Sequence, residues 1–196
     1  MEKIIPRWEW RTFGEDLSKE AEVIKQSGES FDRESEELYI LSTRSNDNTK
    51  IRAELMDIKT PIRINDENSL EQWTVLAKST FPIHINDLAL VYKAFGLQLP
   101  FFKKDEYNYN EYIEELIGRN PDLRIVNVKK NRHGYKIDGA IVEIAEVQFD
   151  DVTQQTIAVE HADPELVLRT VQKLGLTKFE NINYIKAMKR AFGIKY

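Results

Sequence analysis

The stretch PRWEWRTF, residues 6–13, places Arg7, Glu9 and Arg11 on one parity and Trp8 and Trp10 on the other. Successive side chains of a β-strand point to opposite faces, so three charges line one side and two indoles the other. Two kinds of sheet accommodate that arrangement. One has its charged face in water and its tryptophans in a core. The other is closed, with a polar interior and the tryptophans packed outside.

Later strands carry charges at defined parity as well. In TKIRAELMDIK, Lys50, Arg52 and Glu54 share one parity while Asp57 and Lys59 share the other. The charged face therefore switches between Glu54 and Asp57, and a turn or bulge belongs there, although Ala53-Glu54 is poor turn chemistry. In RIVNVKKNR, Lys130 and Arg132 extend the face of Val126 and Val128. In AIVEIAEV, Glu146 lies with Val142 and Ile144, and Glu143 lies on the other face. In TIAVE, Glu160 follows Ala158 and Thr156. A sheet with one wet face also confines charges to one parity. It gives no reason for basic pairs spaced i, i+2 to recur on separate strands while acids come singly. That partition suits a polyphosphate: cations for phosphoryl oxygens, carboxylates for a bridging divalent metal.

The remaining pattern is α+β. Leu17, Ala21 and Ile24 fall at helical spacing with Gly28 as a stop, and EELYILSTR is a strand followed by the turn cluster SNDN. Pro61 marks an edge or a strand end. Residues 66–118 read as a helical insertion built from NSLEQWTVLAKS, INDLALVYKAFG (caps Asn86 and Asp87, stop Gly96) and NYNEYIEELIG. Strands return in DLRIVNVKKNR, GYKIDGAIVEIAEVQF and TQQTIAVEH, with a turn expected near His133. Asp163 and Pro164 then open the helix PELVLRTVQKLG, and INYIKAMKRAFG is the last helix. The whole is expected to be a single domain over residues 1–196.

Composition excludes several classes. A chain of 196 residues supports one good core. It has no cysteine, hence no disulfide and no thiolate metal site. Neither a signal-like N-terminal apolar region nor a membrane-length apolar run is present, so a cytoplasmic protein without membrane contact is expected. A net charge of −5 argues against nucleic acid, and a local basic site within an acidic chain points to a small anion. His84, His133 and His161 lack metal-ligand spacing, and no Walker loop, Rossmann fingerprint or nucleophile elbow occurs. Lys103-Lys104 after Phe101-Phe102 reads as an exposed charge run.

Taken together, strand order and charges resemble the CYTH superfamily, the triphosphate tunnel metalloenzymes. The family's Glu-x-Glu-x-Lys strand corresponds to RWEWR, where Arg7 replaces the first Glu, Glu9 keeps the second and Arg11 stands for the Lys. The resemblance implies an antiparallel β-barrel or tunnel with a helical insertion and C-terminal helices. It implies phosphate binding by Arg7, Arg11, Lys50, Arg52, Lys59, Lys130 and Arg132. It also implies Mg²⁺ or Mn²⁺ on Glu9, Glu146 and Glu160, which would carry a triphosphatase reaction on tripolyphosphate or a nucleoside triphosphate. Arg7 removes a metal ligand and adds a cation. The alternative is therefore a non-catalytic phosphate- or nucleotide-binding module with a degenerate metal site. A plain wet-faced α+β domain would bind neither.

Overall fold

The computed structural model describes residues 5–27 and 30–196; Gly28, the expected stop of the first helix, lies outside them. Strand β1 (Trp8–Gly14) leads to helix α1 (Ser18–Lys25), and then to β2 (Ser30–Ser42), β3 (Ser45–Arg52), β4 (Leu55–Ile64) and β5 (Glu71–Thr80). A two-stranded ribbon, β6 (Ile83–His84) with β7 (Glu106–Tyr107), brackets α2 (Ile85–Ala94). Next come the single turn α3 (Tyr109–Glu111), a π-helical segment (Tyr112–Ile117), β8 (Leu123–Ile137), β9 (Ala140–Phe149) and β10 (Val152–His161). Helices α4 (Pro164–Lys173) and α5 (Tyr184–Ala191) end the chain. Eight strands form a closed antiparallel barrel in the order β1-β10-β9-β8-β2-β3-β4-β5.

The chain packs as two compact units. The first comprises Met1–Ser35, Pro61–Thr74 and Lys129–Asn183, and the second Glu36–Thr60, Val75–Val128 and Tyr184–Tyr196. In the first, Trp10, Val142, Ile144, Ile157 and Val159 pack against Val167 and Val171 of α4 and Ile24 of α1. In the second, Ile40, Ile51, Met56 and Ile58 pack against Leu88, Val91 and Phe95 of α2 and its exit. In each unit the strand face that meets helices is apolar, and alternation sends the charged parity to the other, inward face.

The parity switch after Glu54 is resolved as a hairpin turn. Arg52 pairs with Leu55, and Ala53 and Glu54 both take left-handed backbone, with φ of 47° and 57°. Asp163 caps α4 by accepting from the Glu165 N–H at 3.0 Å, as expected. Helix α2 is capped instead by His84, whose Nδ1 accepts from the Asn86 N–H at 3.1 Å.

Four further expectations fail. NSLEQWTVLAKS is strand β5, not a helix, because Glu71 and Gln72 pair with Glu9 and Trp8 of β1 and complete the barrel. Trp73, Thr74 and Val75 fit a strand intrinsically, so the helical spacing of the apolar residues was the weaker signal. SNDN is not a turn but the start of β3, and the turn is Thr43-Arg44. Its polar groups find partners elsewhere: Lys189 Nζ donates to the Ser45 carbonyl and Asn46 Oδ1, and Thr60 donates to Asp47. His133 lies within β8, and the turn falls at Asp138-Gly139, where φ is 51° and 96°. Strand β4 continues through Pro61 to Ile64. Its ladder with β3 runs only from Arg52↔Leu55 to Asn48↔Lys59, so the missing N–H of Pro61 costs no bond on that side.

Candidate functional site

On the inward face of the first unit, Glu9 stands opposite Glu160, and Arg11 opposite Ala158, which in turn faces Glu143. The Arg11 side chain is only 5% exposed and collects these carboxylates. Its Nε donates to Glu9 Oε1 at 2.6 Å, and its Nη1 donates to Glu143 Oε1 at 3.2 Å and Thr156 Oγ1 at 3.3 Å. Its Nη2 lies 4.0 Å from Glu160 Oε1. The strand itself is held in place by the segment before α5: the Arg11 N–H donates to Asn181 Oδ1, and the Ile182 N–H donates to the Arg11 carbonyl. Arg7, exposed at the rim, approaches Glu160 to 3.7 Å. Burial, and next the charge of Glu9, push the Glu160 carboxyl up to about 7, against the pull of Arg11 and Arg7. Glu71, opposite Glu9 on β5, accepts from Asn183 Nδ2 at 2.7 Å.

The second unit carries a basic inward row. Lys50 of β3 stands between Tyr39 of β2 and Asp57 of β4, and Lys59 faces Asn48. Glu37, fully buried, accepts from Lys50 Nζ at 3.2 Å and Arg52 Nη1 at 3.4 Å. Burial lowers the Lys50 pKa, with Glu37 opposing the shift. Tyr39 stacks on Tyr184 of α5, with ring centroids 6.3 Å apart, and Lys50 Nζ lies 5.8 Å from the Tyr39 ring centre. Asn48 Oδ1 and Asp57 Oδ1 are buried with no donor, and Lys59 has no partner among the described residues.

The structure thus brings together Glu9, Arg11 and Glu160, with Arg7 beside them, and separately Lys50 and Arg52, with Lys59 in the same sheet. Lys130 and Arg132 lie on the inward parity of β8, where Lys130 is buried and Arg132 Nη2 donates to Ser35 Oγ at 2.9 Å. Glu146 does not join them. It keeps the parity of Val142 and Ile144, which face α4, and it is exposed where the strand runs on. Glu143, one residue before Ile144, takes the inward place beside Arg11. Sequence reasoning missed Glu143, Glu37 and Thr156 as site residues. For Glu143 the signal was available: it stands to Val142 and Ile144 as Glu9 stands to Trp10.

The expected divalent metal does not fit these residues. Glu9, Glu143 and Glu160 converge on the Arg11 guanidinium, which takes the central cation position among them. Among the described residues no three His, Asp or Glu side chains are disposed to hold a metal ion.

A closed eight-stranded antiparallel barrel with charged inward faces is the fold of the CYTH-like triphosphate tunnel proteins, and this chain has that fold. A Hippeastrum protein, described as a candidate adenylyl cyclase with a dominant triphosphatase activity, superposes with a TM-score of 0.53 at 12% identity, covering 97% of each chain. A candidate adenylate cyclase from Bacillus halodurans gives 0.49 at 14% identity over 91% of this chain and 95% of its own. A protein from Pyrococcus horikoshii gives 0.48 at 17% identity over 90% and 97%. No protein-family model and no curated protein sequence matches the chain. No helix among the described residues is long and apolar enough to cross a membrane.

Proposed function

We propose that this protein binds a triphosphate-type anion without a divalent metal, as a binding module and not a phosphohydrolase. The observation that carries the reading is the inward row of β2, β3 and β4, where Lys50, Arg52 and Lys59 outnumber the acids Glu37 and Asp57. Lys50 and Arg52 are positioned by a shared buried carboxylate, and Lys59 is uncommitted. Such preorganised cations make strong charge-assisted bonds to phosphoryl oxygens. The cation that a metal would otherwise bring to the Glu9–Glu143–Glu160 group is supplied by Arg11. The triphosphatase activity described for the Hippeastrum protein supports the choice of a triphosphate over other anions.

A thermal-shift titration with tripolyphosphate and with ATP, each in EDTA, Mg²⁺ and Mn²⁺, tests this. Ligand stabilisation grows as RT ln(1 + [L]/Kd), so a rise in Tm that persists in EDTA is expected. Lys59→Gln should weaken tripolyphosphate binding by about ten-fold, since one charge-assisted bond to phosphate is lost. A rise that requires Mg²⁺ or Mn²⁺ and is accompanied by phosphate release would restore the metal-dependent triphosphatase. No rise with either anion would reduce the inward row to an internal ion-pair network.

A further inference from the structure

The second unit holds a cavity of about 440 Å³ that shares no residue with the inward row. It is built by the end of α2, the loop after it and the π-helical segment, and its walls include Tyr92, Phe101, Lys103, Tyr107, Leu116 and Arg119. Ligand cavities typically range from about 300 to 1,000 Å³, so a small organic molecule fits.

The aromatic wall is built from edge-on ring contacts. Tyr92 meets Phe95 and Phe102 edge-on, with centroids 6.1 and 6.0 Å apart, and Phe102 meets Tyr107 at 6.1 Å. Tyr92 is buried as a residue, but its hydroxyl is not among the buried unpartnered atoms and is open to the cavity it lines. The Tyr107 hydroxyl accepts from the Lys103 N–H at 3.0 Å, and its own proton remains to be donated. The Lys103 ammonium and the Arg119 guanidinium have no partners among the described residues. The acids on the wall are already engaged: Glu115 lies 3.6 Å from Lys104, and Asp122 is held by Thr43 and Arg44. The uncommitted charged and phenolic groups are therefore donors, two phenols and two cations, and Gln98 adds a neutral amide to the wall. Around them stands an apolar surface with no cover, for Phe101 is 91% exposed. A phenol keeps its proton at neutral pH, and burial raises the Tyr92 pKa further.

We propose that this cavity binds a small aromatic oxyanion, its carboxylate or phosphate group held by Arg119, Lys103 and the Tyr92 hydroxyl and its ring laid against Phe101 and Leu116. Two cations and two phenols that can donate call for an anionic head, and an uncovered phenylalanine beside them calls for an apolar body. The ligand of this site is distinct from the triphosphate-type anion, because an extended polyanion would leave Phe101 bare.

The test is a ¹⁵N–¹H NMR titration of the whole chain with phenyl phosphate, benzoate, inorganic phosphate and benzyl alcohol. Phenyl phosphate or benzoate is expected to shift amides of residues 98–121 saturably, and inorganic phosphate and benzyl alcohol to shift them far less. Which of the two aromatic anions binds tighter distinguishes a phosphate from a carboxylate head. Arg119→Gln should raise Kd about ten-fold and Tyr92→Phe a few-fold, each with an unchanged Tm. The proposal is overturned if these amides do not shift saturably at millimolar ligand, or if Arg119→Gln leaves Kd unchanged. It is equally overturned if benzyl alcohol binds as well as benzoate.

Discussion

Glu9 and Glu160 face each other across β1 and β10, and two carboxylates at such a pair of positions repel. Burial first, and then the part of that repulsion that Arg11 does not relieve, push the Glu160 carboxyl up to about 7. A carboxyl whose pKa is higher in the folded than in the unfolded chain binds its proton more tightly when folded. Stability is then fully retained below the unfolded value of 4.5 and falls as pH rises to about 7, above which it levels off. Glu160→Gln removes this titration. Chemical denaturation should show the variant more stable than wild type at pH 8 by on the order of 1–3 kcal/mol, with the gap closing toward pH 4. An equal gap at both pH values would mean that Glu160 titrates normally. The members Glu9, Arg11 and Glu160 were legible from parity alone. Glu146 was taken in place of Glu143 because a strand's parity labels two faces without saying which one a helix will cover.

Among the elements, the β3–β4 hairpin shows local reasoning at its most reliable. The switch of charged parity located the turn although Ala53-Glu54 is unsuited to it. Both residues hold positive φ, the conformation that Asn-Gly adopts without strain in a two-residue hairpin. The double substitution Ala53→Asn with Glu54→Gly should raise stability by about 0.5–1 kcal/mol, seen as a higher urea midpoint at unchanged m-value. A lower midpoint would show that the turn does not govern this hairpin. Strand β5 is the opposite case. Its apolar residues sit at helical intervals, and only pairing with β1, some sixty residues earlier in the chain, makes it a strand. SNDN likewise reads as a turn until Lys189 and Thr60, both distant in sequence, bond its carbonyl and side chains.

At the scale of the whole molecule, a net charge of −5 surrounds a basic inward row. Exposed surface charge is screened beyond the Debye length, about 10 Å at 0.1 M salt, whereas contacts to buried cations are screened much less. Tripolyphosphate affinity measured by calorimetry should therefore fall several-fold between low and moderate salt and then flatten, leaving a salt-resistant remainder. An affinity that keeps falling steeply with salt would place the anion on the exposed surface.

Residue alternation is a local property of an extended chain, so the sequence alone determined which side chains share a face: Trp8 with Trp10, Glu9 with Arg11, Lys50 with Arg52. With the strand-rich order it also determined the α+β class, while the barrel was implied by a family resemblance and its closure was set by strand pairing. Which strands become neighbours is a long-range choice, and it was made by the tertiary structure. That choice brought Glu143 to Arg11 and Glu37 under Lys50 and Arg52. It turned 71–80 into the strand beside β1. It also set a guanidinium where a metal had been expected, because a group of carboxylates is satisfied by whichever cation the fold brings within reach.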